Sequence, residues 1–186
     1  MIDLAHSIKL NKHQKSLKEI SFDKANNQYM TTSIFTAVDF DSVKDEYYKG
    51  LRSNDALVVI DSKTGKFLFI EFKNGRIDQP LDKEMIRSKI AESLLILNDI
   101  IDENLSFDKT NINFMLVYNK AKNTSFEQER NNSLNKIASL IAADAKMSYL
   151  INGFNRYYGY FHNVKTINET EFETIVRSLE NNTYKF

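Results

Sequence analysis

Apolar side chains along this 186-residue chain change their spacing several times, and each change marks an element. ALVVI (56–60) and FLFIEFK (67–73) are apolar runs separated by the turn-forming segment DSKTGK (61–66). That pattern predicts a β-hairpin, with Gly65 supplying the permissive backbone of a tight loop. NGR (74–76) ends the second strand. From Leu81 to about Ile101, Met85, Ile86, Ile90, Leu94, Leu97 and Ile101 recur at helical spacing, which predicts a long amphipathic helix. INFMLVY (112–118) reads as a further buried strand, and Ser125 to about Ala145 as a second long helix. Ser125 and Gln128 have the spacing of a capping box. YYGYFHNVKTI (157–167) predicts a late strand, and Phe172, Ile175, Val176 and Leu179 place an amphipathic helix over Glu169–Leu179.

The amino-terminal third is less regular. Ile8, Leu10, Leu17 and Ile20 sit among charges in residues 5–20, read as an opening helix. QYMTTSIFTAVDF (28–40) is rich in Thr, aromatic and β-branched residues and reads as a strand. DSVKDEYYKGL (41–51) predicts a short helix, with Asp41 or Ser42 as N-cap and Gly50 near its end. No repeat, linker or low-complexity block interrupts this order. It predicts an α/β fold of one domain spanning 1–186, a mixed central sheet flanked by helices.

Composition narrows the function. There is no Cys, so disulfides, thiolate nucleophiles and Cys-rich zinc sites are excluded, and the three His residues are too scattered for an obvious histidine cage. Lys plus Arg equals Asp plus Glu at 25 each, so contact with a polyanion would need a local basic patch. No secretory signal is visible, and no stretch reaches the roughly 18–20 apolar residues of a membrane span. A cytoplasmic protein with no membrane partner is the expectation.

Candidate chemistry lies at one end of the hairpin. Glu71 and Lys73 are two apart on a predicted strand and leave the same face, behind Phe67 and Phe69. Leu68, Ile70 and Phe72 point to the other face. Asp55 opens the preceding strand, so a hairpin of this length brings it beside Glu71. Two carboxylates can hold Mg²⁺ through oxygen while leaving water positions open. A bound metal acidifies one water and polarises a phosphoryl oxygen, and a nearby Lys can orient that water.

At these residues the chain resembles a known superfamily. N-D-A-L-V-V-I (54–60) followed by F-I-E-F-K-N-G (69–75) looks like the PD-(D/E)xK nuclease fold of restriction endonucleases and Holliday-junction resolvases. Asn54 stands where the motif has Pro. The resemblance implies a restriction-endonuclease-like core over about 5–118, with a C-terminal elaboration over about 119–186 that adds a strand and a helix. It implies a metal-dependent nuclease hydrolysing phosphodiester bonds, with nucleic acid, DNA more often than RNA, as partner. Asp55 and Glu71 would be ligands for Mg²⁺, which Mn²⁺ could replace, together with the Phe72 backbone carbonyl. Lys73 would position the attacking water. The superfamily's first-helix acid is matched by no local motif: Glu19 is the first choice and Glu46 the second, and the two acids of A-V-D-F-D-S-V-K (37–44) are further candidate ligands.

Plainer readings stand beside this one. Glu71 and Lys73 would serve equally as a charged pair guarding an edge strand, and Asp55 as a turn residue. Lys89 and Glu92 read first as the polar face of their helix, and His162 as a half-buried structural group. Tyr157, Tyr158, Tyr160 and Phe161 read as core or interface packing before base stacking, and a homodimer through this region is one arrangement the pattern allows. Lys120 and Lys122 are explained as well by a solvated loop as by phosphate contact. The rival functions are a catalytically silent binding module of the same fold and an unrelated α/β interaction protein.

Overall fold

The hairpin organises the sheet. In the computed structural model, which describes residues 8–62, 64–77, 80–140 and 160–184, two antiparallel strands occupy β5 (Ala56–Asp61) and β6 (Lys66–Lys73). Gly65 adopts φ +68°, the left-handed turn conformation that side chains disfavour. The register pairs Ala56 with Ile70, which sets Asp55 beside Glu71.

Six strands form one mixed sheet flanked by helices. β1 (Gln14–Ser16), β4 (Thr36–Asp39), β5 and β6 are antiparallel neighbours in that order, and β7 (Ile112–Tyr118) and β8 (Asn163–Asn168) continue it in parallel beyond β6. A separate two-stranded ribbon joins β2 (Phe22–Asp23) to β3 (Gln28–Tyr29). The helices, in chain order, are α1 (Ile8–Asn11), α2 (Leu17–Ile20), α3 (Phe40–Tyr47), α4 (Pro80–Ile101), α5 (Leu105–Asn111), α6 (Thr124–Leu140) and α7 (Glu169–Glu180). Among the described residues no helix is long and apolar enough to cross a membrane.

Alternation along β6 divides the core. Phe67 and Phe69 join Phe40, Val43, Ile86, Ile90 and Leu97 beneath α3 and α4. Leu68 and Ile70 join Leu17, Met115, Phe172 and Val176 beneath α2 and α7. β7 is buried along its whole length, as a parallel strand covered on both faces must be. Each buried Phe or Leu removes enough apolar surface from water to contribute about 1.5–3 kcal/mol, so Glu71 emerges from rigid walls.

Several elements depart from the sequence pattern for identifiable reasons. The opening segment is broken into α1, β1 and α2, because Gln14–Ser16 pair with Thr36–Val38 and Ser16 then caps α2 through a capping box with Glu19. Residues 5–7 lie outside the described residues. The strand expected over 28–40 is regular only at its two ends. Between them, Thr31 and Ser33 turn their hydroxyls to Glu173 and Glu180 of α7, at 2.6 and 3.1 Å. Helix α3 starts at Phe40 because Asp39 is its cap, accepting from Ser42 N–H at 3.2 Å, so Asp41 and Ser42 fall inside the first turn. Helix α6 likewise begins at Thr124, which puts Ser125 inside the helix, and residues 141–145 lie outside the described set. The late strand is shorter than expected. His162 precedes it and is exposed, not half-buried, while its N–H donates to Ile112 O at 2.7 Å. Tyr157 and Tyr158 lie outside the described residues, and Phe161 packs in the core against Phe114.

Helix α5 had no counterpart in the sequence reading, and it carries a buried acid. Asp108 is fully buried, accepts one bond from Asn98 Nδ2 at 2.9 Å, and leaves Oδ1 with no hydrogen-bond partner among the described residues. Burial pushes its carboxyl up to about 6, with Asn98 opposing and Glu103 assisting. Folding therefore disfavours the charged form, and stability from this group is lost as pH rises from about 4 through 6. Asp108→Asn should match the wild type near pH 4 and exceed it above pH 6 by on the order of 1–3 kcal/mol. Urea melts at both pH values check this, and a gain that does not change with pH would refute it.

Candidate functional site

The two carboxylates meet through one ammonium. Lys89 Nζ lies 2.7 Å from Glu71 Oε1 and 3.0 Å from Asp55 Oδ1. The other Asp55 oxygen accepts the Phe72 N–H at 2.6 Å, which fixes the carboxylate against the end of β6. The position of Asp55 is set on both flanks. Its own carbonyl accepts Phe40 N–H at the start of α3, and the preceding Asn54 N–H donates to Ser93 Oγ of α4 at 2.7 Å. Met85, Lys89 and Ser93 thus form one i, i+4, i+8 stripe of α4 over the ends of β5 and β6.

Glu71 is 3% exposed and its Oε2 is buried with no hydrogen-bond partner among the described residues. Burial, and then the charge of Asp55, push its carboxyl up to about 8, with Lys89 opposing. Burial alone would lower the Lys89 ammonium, but Glu71 and Asp55 outweigh it and raise the group above its ordinary value. Asp41, from the first turn of α3, shares the same cleft. It accepts Ser53 Oγ at 2.5 Å, and burial and then Asp55 hold its carboxyl above the usual range, against the Ser53 bond. Lys89 therefore lies among Asp55, Glu71 and Asp41, and Lys73 lines the same cleft.

These groups form the floor of a cleft of about 340 Å³. Ile20, Phe22, Met30 and Met85 contribute apolar wall, and Asp23 and Asn74, joined by an Asn74 Nδ2–H bond to Asp23 Oδ2 at 2.8 Å, line it as well. Lys73 also lines the cleft. Its side chain folds over Gly75, where an added Cβ would lie 3.5 Å from Lys73 Cε. The Lys73 carbonyl accepts Asn119 N–H on the β7 side, so alternation turns the Phe72 carbonyl to the β5 side, where its own N–H already meets Asp55. Behind the cleft an amide lattice braces the loop after β6. Asn119 Nδ2 donates to Asn74 Oδ1 at 2.7 Å, Asn123 Nδ2 donates to Gly75 O at 3.0 Å, and Asn123 Oδ1 accepts Ile77 N–H at 2.9 Å.

No family model, curated protein or solved structure matches this chain. The site therefore rests on its own geometry.

The hairpin places Asp55, Glu71, Phe72 and Lys73 together at one strand end, as the spacing implies. Glu19 and Glu46 are engaged elsewhere. Glu19 accepts from Ser16 N–H and Oγ as a capping residue, and exposed Glu46 accepts from Lys12 Nζ at 2.5 Å. Neither lines the cleft, whereas Asp41 of the 37–44 segment does. Lys89 is not merely polar surface, while its neighbour Glu92 turns away to the Arg52 N–H. Periodicity did signal an α4 face at Met85, but the direction of that face depends on packing against β5 and β6. Among the described residues no three His, Cys, Asp or Glu side chains are arranged to hold a metal. An open Mg²⁺ site needs only one or two protein carboxylates, its other positions going to water and substrate.

Proposed function

We propose that this chain is a metal-dependent nuclease of restriction-endonuclease-like fold, hydrolysing phosphodiester bonds with DNA as the preferred substrate. The observation that carries the reading is the convergence of Asp55 and Glu71 on one cation position, with Glu71 Oε2 buried and unpartnered beside it. Burial favours a proton on the Glu71 carboxyl, and a divalent ion is the partner that would displace that proton at a hard, buried oxygen. The succession of antiparallel β4, β5 and β6, helix α4 and parallel β7 supports the fold assignment, and the domain is read as one unit.

Asp55, Glu71 and the Phe72 carbonyl would hold Mg²⁺ or Mn²⁺, which supplies an acidified water and charge neutralisation at the phosphoryl group. Asp55 is held for that task by the Phe72 N–H, and Glu71 by the packed strand beneath it. Lys73, at the cleft wall, orients the attacking water and offsets phosphate charge. Phe22, Met30 and Met85 would present an apolar wall to a strand bound in the cleft.

Metal should bind only the folded chain and raise its melting temperature by mass action. Millimolar Mn²⁺ is expected to shift the wild type upward and to leave Asp55→Asn unmoved. Cleavage of single-stranded, duplex and branched DNA and RNA, with Mg²⁺ and with Mn²⁺, then reports the activity. Melts identical with and without Mn²⁺ in both proteins would defeat the metal reading. A catalytically silent binding module is the second reading, favoured by the Lys89 ammonium already lying between the carboxylates. Binding of these substrates without cleavage under either metal would select it.

A further inference from the structure

We propose that Lys89 is an exchangeable resident cation: its ammonium holds Asp55 and Glu71 together until a divalent ion enters, and binding of that ion requires the ammonium to leave. This rests on the metal reading of the same site. The contacts make the two cations competitors. Nζ is bonded to one oxygen of each carboxylate, at 2.7 and 3.0 Å, while a Mg²⁺ ion shared by those groups would sit about 2.0–2.1 Å from its oxygens. Because Asp55 Oδ2 already accepts the Phe72 N–H, a metal on Asp55 must use the Oδ1 that Nζ occupies, and two cations so close would repel strongly in so buried a place.

The ammonium is an incomplete partner. It reaches Glu71 Oε1 and leaves Oε2 buried without a donor, and the nearby Asp41 adds a further negative group that it does not bond in this structure. A divalent ion offers the two carboxylates more charge than a single ammonium does. Departure is sterically open. The Lys89 side chain keeps 20% of its surface exposed, it lines the cleft, and its neighbour one turn earlier, Met85, is itself 38% exposed. The backbone of α4 need not move, because Ile86 and Ile90 are buried in the core and Ser93 is bonded to Asn54. Only a flexible four-carbon stem changes rotamer.

The freed ammonium stays within the cleft, where a phosphate is the natural acceptor. Metal and phosphate then favour each other: an anion that captures Lys89 removes the competitor for the metal, and the effect is reciprocal. Lys89 is accordingly a positioning residue that couples occupancy of the metal to occupancy of the substrate.

The first test uses the wild type. Amine acetylation of Lys89 is followed by mass spectrometry with and without Mn²⁺, with exposed Lys109 as internal standard and NaCl of equal ionic strength as control. Labelling of Lys89 relative to Lys109 should rise severalfold with Mn²⁺ and stay constant with NaCl. The second test compares Mn²⁺ affinity in the wild type and Lys89→Met by titration calorimetry. Removing the competing charge should tighten Mn²⁺ by roughly tenfold or more. It should also remove the strengthening that inorganic phosphate gives to Mn²⁺ binding in the wild type.

Mn²⁺ that binds the wild type, is lost in Asp55→Asn, and leaves Lys89 labelling unchanged would overturn this inference and keep the metal site. Equal Mn²⁺ affinity in the wild type and Lys89→Met would do the same. No Mn²⁺ binding to either protein would overturn the inference and the metal reading together. Should Lys89→Met fail to fold, the labelling of the wild type decides.

Discussion

Lys73→Ala should abolish phosphodiester cleavage while leaving the Mn²⁺-induced rise in melting temperature intact, whereas Glu71→Gln should remove both. The two residues are separated in role by their positions. Glu71 supplies a buried oxygen beside Asp55, and Lys73 lies at the cleft wall over Gly75. The ammonium bonded to Glu71 Oε1 is that of Lys89, so removing Lys73 does not dismantle the carboxylate pair. A group that orients or deprotonates water contributes typically ~10²–10⁴ in rate, and that is the loss expected for Lys73→Ala. Glu71→Gln keeps an oxygen for Lys89 to donate to but loses the charge that draws a divalent ion. Lys73 ends a strand and is only half-buried, so its loss should cost at most about 1 kcal/mol of stability. Single-turnover cleavage and thermal melts on the same preparations separate these outcomes. Undiminished cleavage by Lys73→Ala would place the chemistry elsewhere.

The largest effect on stability is expected away from the cleft, at Arg130. Its guanidinium forks onto Glu171 of α7, with Nη1 at 2.8 Å and Nη2 at 2.6 Å, and also donates to Tyr118 OH at 3.2 Å. The Tyr118 hydroxyl and Asn168 Nδ2, the latter at 3.0 Å, both donate to Glu127 Oε1. Burial works against the ionised Glu127, yet the bonds from Tyr118 and Asn168 and the nearby Arg130 hold its carboxyl below the usual range. Stability from that group is complete at neutral pH and is lost as the medium becomes acid enough to protonate it in the folded chain. Arg130→Met would strip the cation from buried Tyr118 and Glu127 and from the 41% exposed Glu171, which costs about 2–3 kcal/mol. For a domain of this size that corresponds to a fall of roughly 4–12 °C in melting temperature. A loss below about 1 kcal/mol in urea melts would show that the pair behaves as an exposed surface bridge instead.

The sequence was most legible where structure is local. Asp55 and Glu71 could be paired because a hairpin with a short turn fixes which residues face each other, and alternation alone put Phe67, Phe69 and Glu71 on one face. Helix α4 was legible from Ile86, Ile90, Leu94 and Leu97 for the same reason. The aim of Lys89 was not, since it depends on how α4 is rotated against strands distant in sequence. Glu19 and Glu46 lie outside the cleft because local contacts engage them, Glu19 in the capping box of α2 and Glu46 with Lys12, whereas Asp39 caps α3 and Asp41 in its first turn lines the cleft. The strand β1 was hidden because its three residues are ordered by pairing with β4, and their own composition is polar. Membership of the nuclease superfamily remains a resemblance carried by those few residues.

The amide lattice behind the cleft has a consequence for how the site responds to its medium. Asn74, Asn119 and Asn123 carry no charge and bond to one another and to main chain, while Asn74 Nδ2 also donates to Asp23 Oδ2 at 2.8 Å. Dissolved ions screen charges over about 10 Å at 0.1 M and about 3 Å at 1 M, but they leave neutral, buried hydrogen bonds almost untouched. The neutral amide bonds of the loop that follows Lys73 are therefore indifferent to ionic strength, while the charges of Asp41, Asp55, Glu71 and Lys89 are not. Raising salt alters the field inside the cleft without loosening these amide bonds, so a salt titration of metal or substrate binding reads the charges of the site, while one of stability also reads the Arg130–Glu171 pair.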